Sequence, residues 1–231
     1  MSGHKVVSQQ EWLKARQALL AEEKAFTRER DRMSAAIRAL PWAKVEKEYV
    51  FEGSEGRETL AELFAGKSQL IVHHFMFDES CKSCSFWADN YDGIAVHLAH
   101  RDVAMVTVSQ APLAQLLAYK QRMGWGFKWV SSHGSEFNRD FHVSFTEAEI
   151  DAGKAYYNYR PGGFPSREAP GFSVFCEGEK GQVFHTYSTY GRGQDILNGA
   201  YHYLDIVPKG RDEAALSYTM EWLKHHDSYE D

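Results

Sequence analysis

Apolar residues recur at close to the helical period between residues 8 and 40. Trp12, Leu13, Leu19, Leu20, Phe26, Met33 and Ile37 mark a stripe, and Glu22, Glu23, Arg28, Arg30 and Arg32 fill positions between them. Ser8 followed by Glu11 has the form of a capping box, so the helix is expected to begin there. Pro41 ends it, because the residue before a proline is driven out of the helical region. The stripe is expected to pack on the domain or to embrace a second subunit. Its mixed charges do not suit a membrane surface.

Beyond Pro41 the period changes repeatedly. Residues 45–51 alternate like a strand, with Val45, Lys47, Tyr49 and Phe51 on one side, and Gly53 and Gly56 mark a turn. A short helix is predicted over 58–65, closed by Gly66. The run 68–77, "SQLIVHHFMF", is dense in apolar and β-branched residues and predicts a strand buried on both faces. A helix follows over 85–100, with Phe86, Trp87, Ile94 and Leu98 as core candidates. "VAMVTVS", 103–109, predicts a second buried strand, and 111–125 a helix with Pro112 in its first turn and Gly124 at its end. "KWVSS" predicts a third strand. Residues 145–170 are polar and rich in proline and glycine, as an insertion would be. "GFSVFCEGEKGQVFHTYSTYG" predicts a hairpin, and "GQDILNGAYHYLD" and "DEAALSYTMEWLKHHDSY" predict two further helical segments. Parallel β-α-β units followed by a hairpin imply a three-layer α/β/α mixed sheet. We expect one domain over 1–231, with 1–41 as a helical extension and 42–231 as a core carrying the insertion at about 145–170.

Composition narrows the classes. The chain has 231 residues, 43% of them hydrophobic, which suits a folded core and not a disordered chain. A net charge of −6 offers no basic excess for nucleic acid. No apolar run approaches the roughly 18 residues that a membrane span needs. The first residues lack the apolar core of a secretory signal, so a reducing cytoplasm is the expected location.

The candidate chemistry lies in "FDESCKSCSFWADN", 77–90, which holds two of the three cysteines. In a reducing compartment a C-x-x-C pair is more often redox-active or metal-binding than structural. Cys81 and Cys84 fall where a buried strand ends and a helix begins, the end at which open α/β sheets place active sites. There the first sulfur can attack a disulfide, and the second, about one turn on, can resolve the mixed disulfide. Lys82 can favour the thiolate by charge or simply face solvent. Zinc binding and incidental cysteines are the alternatives. Zinc needs two more ligands, and His97, His100, His142, His185, His202, His225 and His226 are the candidates; His97 and His100 share a helix face and are the best of them. No complete ligand set stands out, so no metal and no cofactor are assigned. His73 and His74 point to opposite faces of their strand and are expected to be structural. Cys176, inside the hairpin, is expected to be a small buried residue. Aromatic residues crowd the region, Phe86 and Trp87 directly after the cysteines among them, and some are candidates to line a substrate groove. Pro170 precedes the first hairpin strand, where thioredoxin-type sites carry a cis proline packed on the dithiol. Lys82, Trp87 and Pro170 are therefore the expected substrate-positioning residues.

At the level of longer motifs, "CKSCSFWADNYDGIAVHLAHRDV", "APLAQLLAYKQRMGWGFKWVSS", "DFHVSF" and "VFHTYSTYGRGQDILNGAYHYLDIVPKGRDE" resemble a mainly bacterial thioredoxin-like family. Its members are often labelled predicted dithiol-disulfide oxidoreductases or isomerases. The resemblance runs from about residue 5 to the C-terminus. It implies a thioredoxin-like fold with an N-terminal helical extension, and Cys81 and Cys84 as the redox pair. Two departures bear on chemistry. Lys82 and Ser83 stand where thioredoxin has Gly-Pro, which leaves the direction of electron flow open. Met76, Phe77, Asp78, Glu79 and Ser80 precede Cys81, so the Pro-x-x-x-Thr-x-x-Cys pattern of peroxiredoxins is missing, and Asp78 and Glu79 oppose the thiolate. The expected function is thiol-disulfide oxidoreductase, with a thiol peroxidase or a non-catalytic binding protein as alternatives. Expected partners are a protein or a low-molecular-weight thiol or disulfide, without nucleic acid or membrane, and a homodimer is an open alternative.

Overall fold

Ser8 opens the first helix as its pattern predicts. In the computed structural model, which describes residues 3–78 and 81–230, the Ser8 side chain accepts from the Glu11 N–H while the Glu11 carboxylate accepts from the Ser8 N–H at 3.0 Å. The helix so capped, α1 (Gln9–Arg38), belongs to a unit that ends at Pro41, and a second unit runs from Trp42. None of the residues of α1 is buried; Trp12, Leu13, Leu19, Phe26 and Met33 are all exposed.

The second unit is built on one mixed sheet. In chain order its elements are β1 (Ala43–Lys44), β2 (Val50–Gly53), β3 (Gly56–Thr59), β4 (Gln69–His74), α2 (Lys82–Ala88), α3 (Tyr91–His100), β5 (Val103–Ser109), α4 (Leu113–Arg122), β6 (Lys128–Ser131), α5 (Phe137–Asp140), α6 (Glu147–Asp151), β7 (Ala155–Tyr157), β8 (Arg160–Gly162), β9 (Gly171–Glu177), β10 (Val183–Tyr190) and α7 (Gly199–Leu204). The sheet order is β1-β10-β9-β4-β5-β6-β2-β3, and β7 and β8 form a separate hairpin. β4, β5 and β6 are parallel, and β9 joins β4 antiparallel with His74 opposite Gly171.

Alternation along β4 divides the core in two. Leu70 and Val72 enter one cluster with Phe51, Val106, Val108, Phe137 and Phe175. Phe75 and partly buried Ile71 enter the other, with Trp87, Tyr91, Leu116, Trp129, Phe172 and both Cys81 and Cys84. His73 and His74 follow the same rule. His73 stacks on Phe172 at 4.7 Å, and His74 stacks on Phe137 at 5.4 Å on the opposite face. A parallel core strand next to an antiparallel hairpin, with the C-x-x-C helix leaving the end of β4, is the thioredoxin-like arrangement that the sequence resemblance implies. Among the described residues no helix is long and apolar enough to cross a membrane.

Several expectations give way to tertiary pairing. Residues 45–49 are not a strand, because β1 pairs with β10 and β2 with β6, on opposite sides of the central strands, and the link must cross between them. The helix predicted at 58–65 shrinks to a single 3₁₀ turn, Glu62–Phe64, since Gly56–Thr59 pairs with β2 instead. The helix predicted at 85–100 breaks between α2 and α3, where the Asn90 amide caps the Phe86 carbonyl at 3.1 Å. The insertion holds α6, started by a Thr146–Glu149 capping box, and the β7–β8 hairpin. Residues 212–224 are not helical: Asp212 and Met220 take left-handed φ angles of 53° and 69°, and the Glu213 carboxylate ties the segment into a loop. Cys176 is partly exposed, not buried, because it sits at the end of β9 remote from Gly171, where its thiol reaches the Glu177 carbonyl at 3.6 Å.

Candidate functional site

The site grows from the end of β4. After His74 the Phe75 N–H still pairs with the Val108 carbonyl, and the Ser109 hydroxyl donates to the Phe75 carbonyl at 2.7 Å. The chain then leaves the sheet, and the Cys81 N–H closes a turn on the Asp78 carbonyl at 2.8 Å. Cys81 has extended backbone angles and occupies the N-cap of α2. The Ser85 hydroxyl donates to the Cys81 carbonyl at 3.0 Å and also bonds the Tyr119 hydroxyl at 3.0 Å, which fastens the first turn of α2 to α4.

This geometry makes the two sulfurs unequal. Both cysteines are free thiols, with Cys81 8% and Cys84 2% exposed. The Ser83 hydroxyl lies 3.7 Å from the Cys81 sulfur, and Cys84 follows in the first turn of α2 within the same buried cluster. Hydrogen bonding with the Cys84 side chain first, then with the Cys84 N–H and the Ser83 hydroxyl, pulls the Cys81 thiol down to about 7, against burial and the Asp78 charge. The same contact, with burial, drives Cys84 well above an ordinary thiol. Glu79, expected to oppose the thiolate alongside Asp78, lies outside the described residues.

Two cavities meet at the pair. One, of about 580 Å³, is lined by Cys84, His73, Trp87, Pro170, Gln194 and Met220. The other, of about 760 Å³, is lined by Cys81, Asp78, Lys82, Glu168, Tyr218 and Glu221. Ser83, Thr219 and Met220 border both, so the segment around Met220 separates the two openings. That segment is held by Glu213, whose Oε1 accepts from the Tyr201 hydroxyl at 3.1 Å, the Met220 N–H at 3.0 Å and the Trp222 indole at 2.8 Å.

The expected positioning residues are distributed between these openings. Lys82 is exposed on the Cys81 side. Trp87 is buried on the Cys84 side, with its indole donating to the Gln194 carbonyl at 3.0 Å. Pro170 lines the Cys84 cavity, but the expected cis bond is not found: every peptide bond among the described residues is trans. The reason is pairing with a distant segment. The Phe145 N–H reaches the Arg167 carbonyl, Ser144 bridges Glu168, and the Ala169 N–H reaches the Val143 carbonyl, so the chain runs extended straight into β9 with no reversal for a cis turn to make.

Three site residues escape sequence reasoning. Glu168 lines the Cys81 cleft; burial raises its carboxyl to about 7, and its Oε2 is buried without a hydrogen-bond partner. His73 lines the Cys84 cavity with its Nδ1 unpartnered, and burial keeps its imidazole neutral by lowering its pKa well below the ordinary range. Glu213 holds the segment between the openings. A glutamate beside a proline and one in a polar tail carry no local signal, because each becomes special only through residues far along the chain.

The histidines weighed as zinc ligands are dispersed. His97 and His100 are exposed on α3, His202 bonds the Ile196 carbonyl at 3.1 Å, His185 bonds Ser188 at 2.7 Å, and His226 bonds Asp89 at 2.6 Å. Among the described residues no three His, Cys, Asp or Glu side chains converge as a metal site would require.

Known proteins place the chain as follows. No curated protein matches it in sequence. Solved structures with a similar fold include peroxidoxin BcpB from Mycobacterium tuberculosis, at 10% identity, 68% of this chain, 93% of that chain and a TM-score of 0.47. The mitochondrial 2-cys peroxiredoxin from Plasmodium falciparum aligns at 11% identity over 71% of this chain and 92% of that one, with a TM-score of 0.45. Peroxiredoxin Q from Xanthomonas campestris aligns at 16% identity over 71% and 96%, also with a TM-score of 0.45. Likeness of this degree says nothing about chemistry. A sequence model of one family matches residues 1–229, and by that match the chain belongs to the family described as bacterial protein of unknown function (DUF899).

Proposed function

We propose that the protein is a thiol-disulfide oxidoreductase whose dithiol is Cys81 and Cys84. The observation that carries this reading is the placing of Cys81 at the N-cap of α2 on an open cleft, with Cys84 buried in the first turn of the same helix. It supports a division of labour. Cys81, its pKa lowered, attacks a substrate disulfide as the thiolate, and Cys84 is held protonated until it is needed. The attack forms a mixed disulfide and releases one substrate thiol. Cys84 then loses its proton and attacks the Cys81 sulfur, forming the Cys81–Cys84 disulfide and releasing the second thiol. The dithiol is oxidised by two electrons and the substrate disulfide is reduced by two. The same steps run backwards oxidise a substrate dithiol.

The cleft supports a disulfide presented by a small thiol or by an exposed protein segment, since it is open on the Cys81 side and bordered by polar groups. Trp87 and Pro170 line the neighbouring cavity, where they support a role in seating the substrate beside Cys84. The test is equilibration of the purified protein in glutathione buffers of stepped potential, followed by thiol counting. A reversible Cys81–Cys84 disulfide with a single midpoint is expected. If no such disulfide forms at any potential, the reading fails. A Cys84→Ala variant, which cannot resolve the mixed disulfide, is expected to retain substrate on Cys81.

A further inference from the structure

Of the acidic residues that line the cleft in front of Cys81, Asp78, Glu168 and Glu221, Glu168 has a buried carboxyl oxygen, and the dithiol exchange above does not use it. Glu168 lines the same opening as Cys81, just ahead of Pro170 and β9. Its Oε2 is shielded from water and, among the described residues, has no hydrogen-bond partner. A buried carboxyl oxygen left unpaired is costly as an anion, and as an acid it has a proton to give. It lines the same cavity as Cys81, and negative charge on either group opposes negative charge on the other. A thiolate attacks in line with the disulfide bond, so a leaving sulfur lies on the side away from Cys81, which opens on this cleft.

Building on the oxidoreductase reading, we propose that Glu168 is the general acid that protonates the thiol leaving in the first exchange step. The Cys81 thiolate attacks the nearer sulfur of the substrate, R–S–S–R′, and forms Cys81–S–S–R. The S–S bond of the substrate breaks and its electron pair goes to R′–S. The Glu168 carboxylic acid supplies the proton, giving R′–SH and the Glu168 carboxylate. The protein thereby suits disulfides of weakly acidic alkyl thiols, such as cysteine-containing peptides and small biological thiols, whose thiolates are poor leaving groups. Burial supports the assignment by keeping the group protonated up to about pH 7.

The experiment compares two disulfides on the reduced protein: an alkyl one, hydroxyethyl disulfide, and an aryl one, dithiobis(nitrobenzoate), whose acidic thiolate leaves without help. Loss of free Cys81 is followed under conditions where the rate rises with disulfide concentration. In Glu168→Gln the alkyl rate is expected to fall about 100-fold and the aryl rate by less than about threefold. Equal changes for both disulfides overturn the assignment, because a role in charge repulsion or folding acts on the shared Cys81 thiolate. If reduced native protein reacts with neither, the oxidoreductase reading falls and this assignment with it.

A second measurement needs no variant. In the native protein the ratio of alkyl to aryl rates is expected to drop as pH rises through the loss of the Glu168 proton. Ionisation of Cys81 cancels in that ratio, and Asp78, Lys82, Arg167, Tyr218 and Glu221, which also face the cleft, act on the same thiolate in both reactions. A ratio that stays flat from pH 5 to about pH 9 overturns the assignment.

Discussion

Cys81 at the N-cap of α2 and Cys84 in its first turn line different cavities, and their mutual influence separates an acidic, cleft-facing cysteine from a buried protonated one. Neither burial nor the nearby carboxylates would do so, because both act to raise the two thiols.

Cys84 is the largest source of that acidity, so removing its thiol is expected to move Cys81 back toward an ordinary thiol. In Cys84→Ala the iodoacetamide reaction of Cys81 at pH 7 should slow by roughly three- to tenfold, as the thiolate fraction falls tenfold per unit. Cys84→Ser keeps an O–H donor and should slow less. The readout is alkylation rate against pH, and a midpoint unmoved in the alanine variant would assign the acidity to another source.

Glu168 makes stability depend on pH in a defined direction. Its carboxyl is raised by burial to about 7 in the folded chain, from an ordinary value of 4.5. Its favourable contribution is therefore complete in acid, below the unfolded value, and is lost as pH climbs through the folded value. Glu168→Gln has no charge to bury, so it should exceed the native chain in stability by about 1–3 kcal/mol at pH 8, with the advantage gone near pH 4.5. Denaturant midpoints at the two pH values test this, and a gap of the same size in both would refute it.

Glu213 is expected to govern access to the buried sulfur. Three donors converge on its Oε1, one of them the N–H of Met220, which borders both cavities. Hydrogen bonds to a charged group contribute roughly 1.5–3 kcal/mol each. Glu213→Ala should lower the local opening energy of 213–222 by at least about 2 kcal/mol, seen as faster amide exchange at Met220 and faster alkylation of Cys84. Unchanged protection at Met220 would show that other contacts hold the segment.

Gly171 sits beside Pro170 because no side chain fits there. A Cβ would lie 2.6 Å from Tyr190 Cδ1 and 3.3 Å from Val143 Cγ1, and the Tyr190 hydroxyl is fixed on the Phe141 carbonyl at 2.9 Å. Gly171→Ala should cost about 1–3 kcal/mol by overpacking. Combining it with Tyr190→Leu should give a loss smaller than the sum of the two single losses, measured in a double-mutant cycle. Strict additivity would mean that the ring is not the obstacle.

The same residues show what is readable without coordinates. The Ser8 capping box, the run from Gln69 to His74 and the placing of Cys81 and Cys84 after it are local statements, and the structure bears them out. Of the strand expected at 45–51 only Val50 and Phe51 are paired, as the start of β2, and the helix expected after Asp212 does not form, since edge pairing and the Glu213 clasp override the local rules. Pro170 was legible as the residue that begins a strand, but its peptide geometry follows from pairing with 143–145.

By itself, then, the sequence determined the features that neighbouring residues decide among themselves: helix caps, the strand period, the hairpin, and two cysteines spaced for one helical turn. The tertiary structure alone decided which groups surround the sulfurs. The antiparallel seat of β9 against β4 brings the approach through Glu168 to Cys81, and the looped tail brings Met220 and Glu213 over Cys84. Acidity and access depend on dielectric and contact, which arise only when distant segments pack together, so no local pattern can carry them.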